Sequence, residues 1–195
     1  MNTQPKILAF GGSLRRDSLN HKLATVAAES ARAAGAEVTL IALRDFPMPI
    51  YDGDIESASG LPEHAKRFKA LLKEHDALLI ASPEYNSSIS AALKNAIDWA
   101  SRAEPGEAPL ACFAGKVAGL MGASPGPNGG LRGLVTVRSI LSNIQVIVLP
   151  EQVTLSKANE AFGADGKLIE ARQQANVDKL TARLVRVAGA LRAQA

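Results

Sequence analysis

Apolar runs of strand length recur along this chain and alternate with stretches whose apolar positions follow helical spacing. Ile7-Leu8-Ala9-Phe10, entered from Lys6, predicts a first strand. A helix over about residues 20–34 follows, with Leu23, Val26, Ala27 and Ala34 able to share a face and Gly35 as its stop. Residues 38–43 predict a second strand. The regularity then breaks over residues 44–60, where Pro47, Pro49, Gly53 and Gly60 mix with Asp52, Asp54 and Glu56. Such a connection is either a functional loop or a mobile surface loop. Residues 61–74 predict a helix with Pro62 in its first turn. Residues 77–81, ALLIA, predict a third strand, apolar throughout as a central parallel strand is. A helix over 91–100, a Pro/Gly-containing connection over 103–115, a fourth strand over 117–121 and a helix over 131–143 come next. The fifth strand spans 146–149 and ends at Pro150. Residues 152–167 read as irregular, with Gly163 and Asp165-Gly166 as turn signals. The last helix starts near Lys167, on the 3-4-3-4 spacing of Val177, Leu180, Leu184, Val187 and Leu191.

Five strands alternating with five helices, without an internal repeat, predict an α/β fold: a single domain over residues 1–195 with a parallel sheet covered by helices on both faces. The expected strand order is the flavodoxin-like 2-1-3-4-5, whose ligand crevice opens at the switch point between strands 1 and 3. Composition narrows the function classes. The net charge is +3, and the arginines form no dense tract interleaved with aromatics, so no nucleic-acid partner is expected. A modest positive excess suits an anionic small molecule. Cys112 is the only cysteine, which excludes an intrachain disulfide, fits a reducing compartment and reads as a buried or interface thiol. The N-terminus MNTQPK lacks a signal-peptide pattern, and no apolar stretch nears the ~20 residues that span a bilayer. The expectation is a cytoplasmic protein without membrane contact. His21, His64 and His75 are too isolated to suggest a metal site.

The chemistry concentrates in three loops that follow strands 1, 3 and 4. Gly11 to Asn20 reads GGSLRRDSLN between a strand and a helix. A helix start offers unpaired N–H groups and partial positive charge. Ser13, Ser18, Asn20 and Arg15 or Arg16 add donors suited to phosphate. Neither the GxxxxGK[ST] nor the GxGxxG pattern is present, and an ordinary Ser/Asn-rich turn is the plain alternative. The second loop, SPEYNSSIS (residues 82–90), supplies backbone groups, an aromatic and an amide. The third, GASPGPNGG (residues 122–130), supplies a wall with little side-chain bulk. A phosphate site at one end of a backbone-lined slot matches flavin mononucleotide (FMN).

These stretches carry a family likeness. GSLRRDSLN, PMPIYDGDIE, SPEYN, LKNAIDWAS and GASPGPNGGLR together resemble the NADPH-dependent FMN reductase family, flavodoxin-like proteins that include bacterial quinone and chromate reductases. The likeness covers essentially the whole chain, and the PEYN…LKNAIDW pairing is its most specific part. It implies that Ser13, Arg15, Ser18, Leu19 and Asn20 hold the FMN phosphate. It implies that Pro83, Glu84, Tyr85, Asn86 and Ser87 run beside the ribityl chain and ring with Ile89 nearby, and that Ser124, Pro125, Gly126 and Gly129 line the other edge. It further implies a hydride passed from NADPH or NADH to flavin N5 and on to a small-molecule acceptor (a quinone, free flavin, azo compound or chromate), and a homodimer or homotetramer. Backbone N–H groups of Tyr85-Asn86 and Pro125-Gly126 are expected to stabilise negative charge on the ring. The family pattern PEYNGSIPGALKN reads PEYNSSISAALKN here, so Ser87 stands for a glycine, Ser90 for a proline and Ala91 for a second glycine. Ser90 can cap the following helix; Ser87 resists the backbone angles glycine permits. Trp99 reads as core or interface packing, and Tyr85 as the better ring contact. A flavodoxin-type electron carrier, a hydrolase built on Ser13 or Ser87, and a scaffold without ligand are the rival classes. Low aromatic content and mild basicity weigh against the first, and neither Ser13 nor Ser87 stands in a GxSxG stretch, which weighs against the second.

Overall fold

The computed structural model describes residues 4–194. Five strands, β1 (Lys6–Gly11), β2 (Glu37–Ala42), β3 (Ala77–Ala81), β4 (Val117–Ala123) and β5 (Ile147–Leu155), form one all-parallel sheet in the order β2-β1-β3-β4-β5. This is the flavodoxin-like order expected. The helices are α1 (Leu19–Ala33), α2 (Gly53–Ser59), α3 (Glu63–Glu74), α4 (Ala91–Ala100), α5 (Leu131–Asn143) and α6 (Ala171–Arg192). Alternate strand residues serve opposite faces, as the period of two requires. Ile7, Ala9, Leu79 and Met121 pack under α1 and α6, while Leu8, Phe10, Ile80 and Leu120 pack under α3, α4 and α5. On the second face Phe10 and Phe68 meet edge to face at 5.7 Å. Among the described residues no helix is long and apolar enough to cross a membrane.

Element ends shift by one or two residues in several places, and three larger differences from the sequence reading stand out. β5 does not stop at Pro150 but continues to Leu155. Proline lacks the N–H a ladder needs, yet β5 is an edge strand, where one side of the backbone has no partner. The register also slips there: Ala118 pairs with Val148 but Leu120 with Gln152, and Pro150 lies in the bulge between. α6 begins at Ala171, not near Lys167. The 44–60 segment holds a 3-10 turn, Leu43–Asp45, and the short helix α2. α2 buries none of its residues; its position comes from α4. The Asn95 amide accepts from Tyr51 N–H at 2.7 Å and donates to Pro49 O at 2.9 Å, and Trp99 Nε1 donates to Pro49 O at 2.8 Å. Tyr51 stacks edge-on against fully buried Trp99 and donates its hydroxyl to Glu56, which also accepts from Arg102. The LKNAIDW stretch therefore fastens this loop, and Trp99 is core.

Two local features set stability. Lys69, 1 % exposed, donates to the Arg102 carbonyl and to Glu107, which also accepts from Lys73 at 2.7 Å. Burial alone would raise the Glu107 carboxyl; the lysine bonds overcome it and hold the carboxyl down at about 2. Cys112, buried beside this cluster with its Sγ facing the Lys69 carbonyl, is pushed up by desolvation. The second feature is the turn between Tyr85 and Ser88, which exchange two backbone hydrogen bonds of 3.0 Å. Its central residues Asn86 and Ser87 have φ of 51° and 66°. Both angles positive is the type I′ pattern, which favours Asn-Gly. Serine at the second position costs about 1–2 kcal/mol that glycine does not.

Ser87→Gly should raise stability by about 0.5–1 kcal/mol, after allowing for glycine's greater unfolded-chain entropy, and the melting temperature by about 2 °C. Thermal denaturation checks this. The depressed Glu107 carboxyl stabilises the fold fully above its unfolded value of 4.5, and that contribution is lost as pH falls toward about 2. Glu107→Gln should therefore cost about 3 kcal/mol at pH 7, with most of the difference gone by pH 2. Urea titrations at the two pH values measure it.

Candidate active site

The carboxyl ends of β1, β3 and β4 converge because the chain keeps pairing past the strands. Gly12 N–H donates to Ala81 O at 2.9 Å, and Ser82 N–H to Met121 O at 2.8 Å. A Cβ on Gly11 would sit 2.8 Å from His21 N, and one on Gly12 2.9 Å from Leu93 Cδ2. These two glycines let the first loop lie directly on α1 and α4.

In the first loop Ser18 caps α1, accepting from His21 N–H at 3.2 Å, and Ser13 accepts from Arg15 N–H at 3.3 Å. Both serines are buried and line a cleft with Arg15, Leu19 and Asn20. The N–H groups of Leu19 and Asn20 take no acceptor among the described residues, and no acid stands in the first turn of α1. Arg15 and Arg16 are exposed and form no ion pair among the described residues. The helix end thus keeps unpaired donors of the kind that attract an anion. Asn20 contributes to it mainly by position. Its amide donates to Ala123 O and accepts from Ala123 N–H, each at 2.9 Å, tying the start of α1 to the end of β4.

The second loop forms the facing wall through Pro83, Glu84 and Tyr85, and Ser124 and Pro125 close the cleft from the third. The Glu84 carboxylate accepts from Arg132 N–H, Arg132 Nε and Gly133 N–H at 2.8–3.1 Å. Burial opposes its ionisation, but the helix-end bond from Gly133 and the Arg132 pair hold the carboxyl below its ordinary range. Glu84 is a carboxylate clamp that seats the PEYN loop on α5. Ser90 caps α4 by accepting from Leu93 N–H, as expected, and its hydroxyl also donates to Gly12 O, a bond no proline could make. Around the corner a second cleft opens over Gly12, Leu14, Tyr85, Ala91 and Ala92. Leu14 and Tyr85 stand 54 % and 50 % exposed at its rim.

Other expected residues lie apart from both clefts. Ile89 is buried in the core under α4, and Asn86 and Ser87 form the tip of the turn. Gly126 N–H is spent on Ser124 Oγ. Gly129 is buried behind its loop, where a Cβ would meet Leu155 N at 2.8 Å. Of the backbone donors expected to face a ring, Tyr85 N–H belongs to the turn and Pro125 has none, which leaves Asn86 N–H without an acceptor among the described residues. The sequence reading missed Leu14, Ala91, Ala92 and Ala123 as lining residues. A large apolar residue in an otherwise polar loop was the available signal for Leu14.

Comparison with known proteins identifies the family. The family described as NADPH-dependent FMN reductase matches residues 5–160. An NAD(P)H-dependent FMN reductase of Pseudomonas aeruginosa is 39 % identical over 172 residues, covering 87 % of this chain and 88 % of that protein. A quinone reductase of Escherichia coli K12 is 31 % identical over 186 residues, 94 % of each. Among solved structures, the flavoenzyme NAD(P)H:(acceptor) oxidoreductase FerB of Paracoccus denitrificans superposes with a TM-score of 0.77 at 28 % identity, over 94 % of this chain and 97 % of that one. A match over most of the chain, on a parallel sheet whose switch point opens onto an anion-ready helix, settles its kinship: the chain belongs to the NADPH-dependent FMN reductase family.

Proposed function

We propose that this protein is an FMN-containing reductase that takes reducing equivalents from NAD(P)H and delivers them to a small organic acceptor, a quinone foremost. The observation that carries the reading is the open α1 terminus: unpaired N–H groups, two buried serine hydroxyls and a free Arg15 at the switch point of the sheet. These residues fit the phosphate of FMN, and the half-exposed Leu14 and Tyr85 fit a flat ring that would cover them. Bound FMN supplies the hydride-accepting chemistry; the protein supplies position and electrostatics. Ser13, Ser18, Arg15 and the N–H groups of Leu19 and Asn20 hold the phosphate. Pro83 and Tyr85 border the ribityl chain and ring. Glu84 is held against Arg132 and Gly133 at the start of α5 and keeps the wall in place. The acceptor reaches the ring through the cleft over Leu14 and Ala92.

Anaerobic addition of NADPH to the FMN-loaded protein should bleach the visible flavin spectrum rapidly, and a quinone should restore it. A spectrum that neither NADPH nor NADH bleaches overturns the reading in favour of an electron carrier. Arg15→Ala should weaken FMN binding about 10-fold or more, the worth of one charge-assisted hydrogen bond, in a flavin fluorescence titration. An unchanged affinity removes Arg15 from the phosphate site.

A further inference from the structure

The cleft over Leu14 and Ala92 continues into a second one of about 260 Å3, which shares those two residues and is lined beyond them by Leu43, Arg44, Phe46 and Met48. That volume is below the ~300–1,000 Å3 that takes a whole small ligand, and suits one end of a longer molecule. Arg44 is the one charged residue lining it among the described residues, and its Nη2 is buried without a hydrogen-bond partner. A desolvated guanidinium N–H left unpaired is costly, and native structures carry few such groups. Asn95, the other polar residue of the wall, already has its amide bonded to Pro49 and Tyr51. The cleft therefore has one partly exposed guanidinium in a mostly apolar wall, with one of its N–H groups unpaired.

We propose that this cleft takes the adenosine end of NADPH, with Arg44 pairing with the 2′-phosphate and setting a preference for NADPH over NADH. The proposal rests on the flavin reading above. With the FMN phosphate at α1, that end of the site is filled by the cofactor itself. A nicotinamide over the ring must then carry the rest of its dinucleotide out through the open end, between Leu14 and Ala92, toward Arg44. Apolar walls of Leu43, Phe46 and Met48 suit an adenine, and a planar fork of donors suits a phosphate better than any other side chain does.

Calorimetric titration of the FMN-loaded protein with 2′,5′-ADP and with 5′-AMP tests this directly. Wild type should bind 2′,5′-ADP about 10-fold or more tightly than 5′-AMP. Arg44→Met, which keeps volume and removes charge, should abolish that ratio and raise KM for NADPH about 10-fold more than KM for NADH, with the flavin spectrum retained. Arg44→Lys, which keeps the charge without the fork, should give an intermediate ratio and serves if the methionine variant does not fold. Equal binding of the two nucleotides by wild type, or a ratio that survives both substitutions, overturns the assignment. So does an Arg44→Met effect confined to an acceptor such as a carboxylated quinone, or confined to the mass measured by light scattering, which would give the cleft to the acceptor or to a second copy. A loaded protein bleached by neither nucleotide overturns the reductase reading itself; bleaching by both donors equally, without preference for 2′,5′-ADP, overturns only the role of Arg44.

Discussion

The pair of hydrogen bonds between the Asn20 amide and the backbone of Ala123 is the constraint on which the cleft depends. β1 and β4 are not neighbours; β3 lies between them, so this contact bridges the mouth of the sheet. Both bonds are buried, where a missing partner would leave a desolvated donor and acceptor. The bridge fixes where the first turn of α1 points, and with it the direction of the unpaired N–H groups. Ser90 adds a second tie, from α4 to Gly12, and Glu84 a third, from the PEYN loop to α5. Three polar side chains thus hold three loops to one another before any ligand arrives.

This division of labour explains a pattern in the site. The polar side chains that look most like ligands in the sequence are largely consumed by the scaffold. What remains available to an anion is backbone N–H, serine hydroxyl and the exposed arginines. A site made this way is preorganised, because its donors move only if the sheet edge moves.

The fold was legible because parallel strands buried on both faces must be apolar throughout, as ALLIA is, and because helices between them follow their own period. The strand order then located the site without side-chain detail. What escaped reading depends on partners far away in sequence. β5 runs past Pro150 only because it lies at an edge, and α2 is helical without an apolar face because Asn95 and Trp99, more than forty residues on, hold its approach. Whether Glu84 serves a ligand or a helix end is likewise decided by Arg132 and Gly133, 48 and 49 positions later. Gly129 reads as loop permissiveness, yet its packing against Leu155 is what excludes a side chain. Arg44 gave no local signal at all; what marks it is an unpaired, buried Nη2 on a side chain that lines the cleft, whereas Arg183, whose Nε is also buried and unpaired, lies elsewhere beside Glu151.

The position of Cys112 has a bearing on survival in use. Quinones are electrophiles that arylate thiols, and the attacking species is the thiolate. The chain's one sulfhydryl lies beneath α3, 1 % exposed, with desolvation keeping it protonated. A catalyst whose proposed acceptors are themselves alkylating agents therefore presents them no nucleophilic sulfur. Packing alone thus withholds the one thiol from the kind of acceptor proposed.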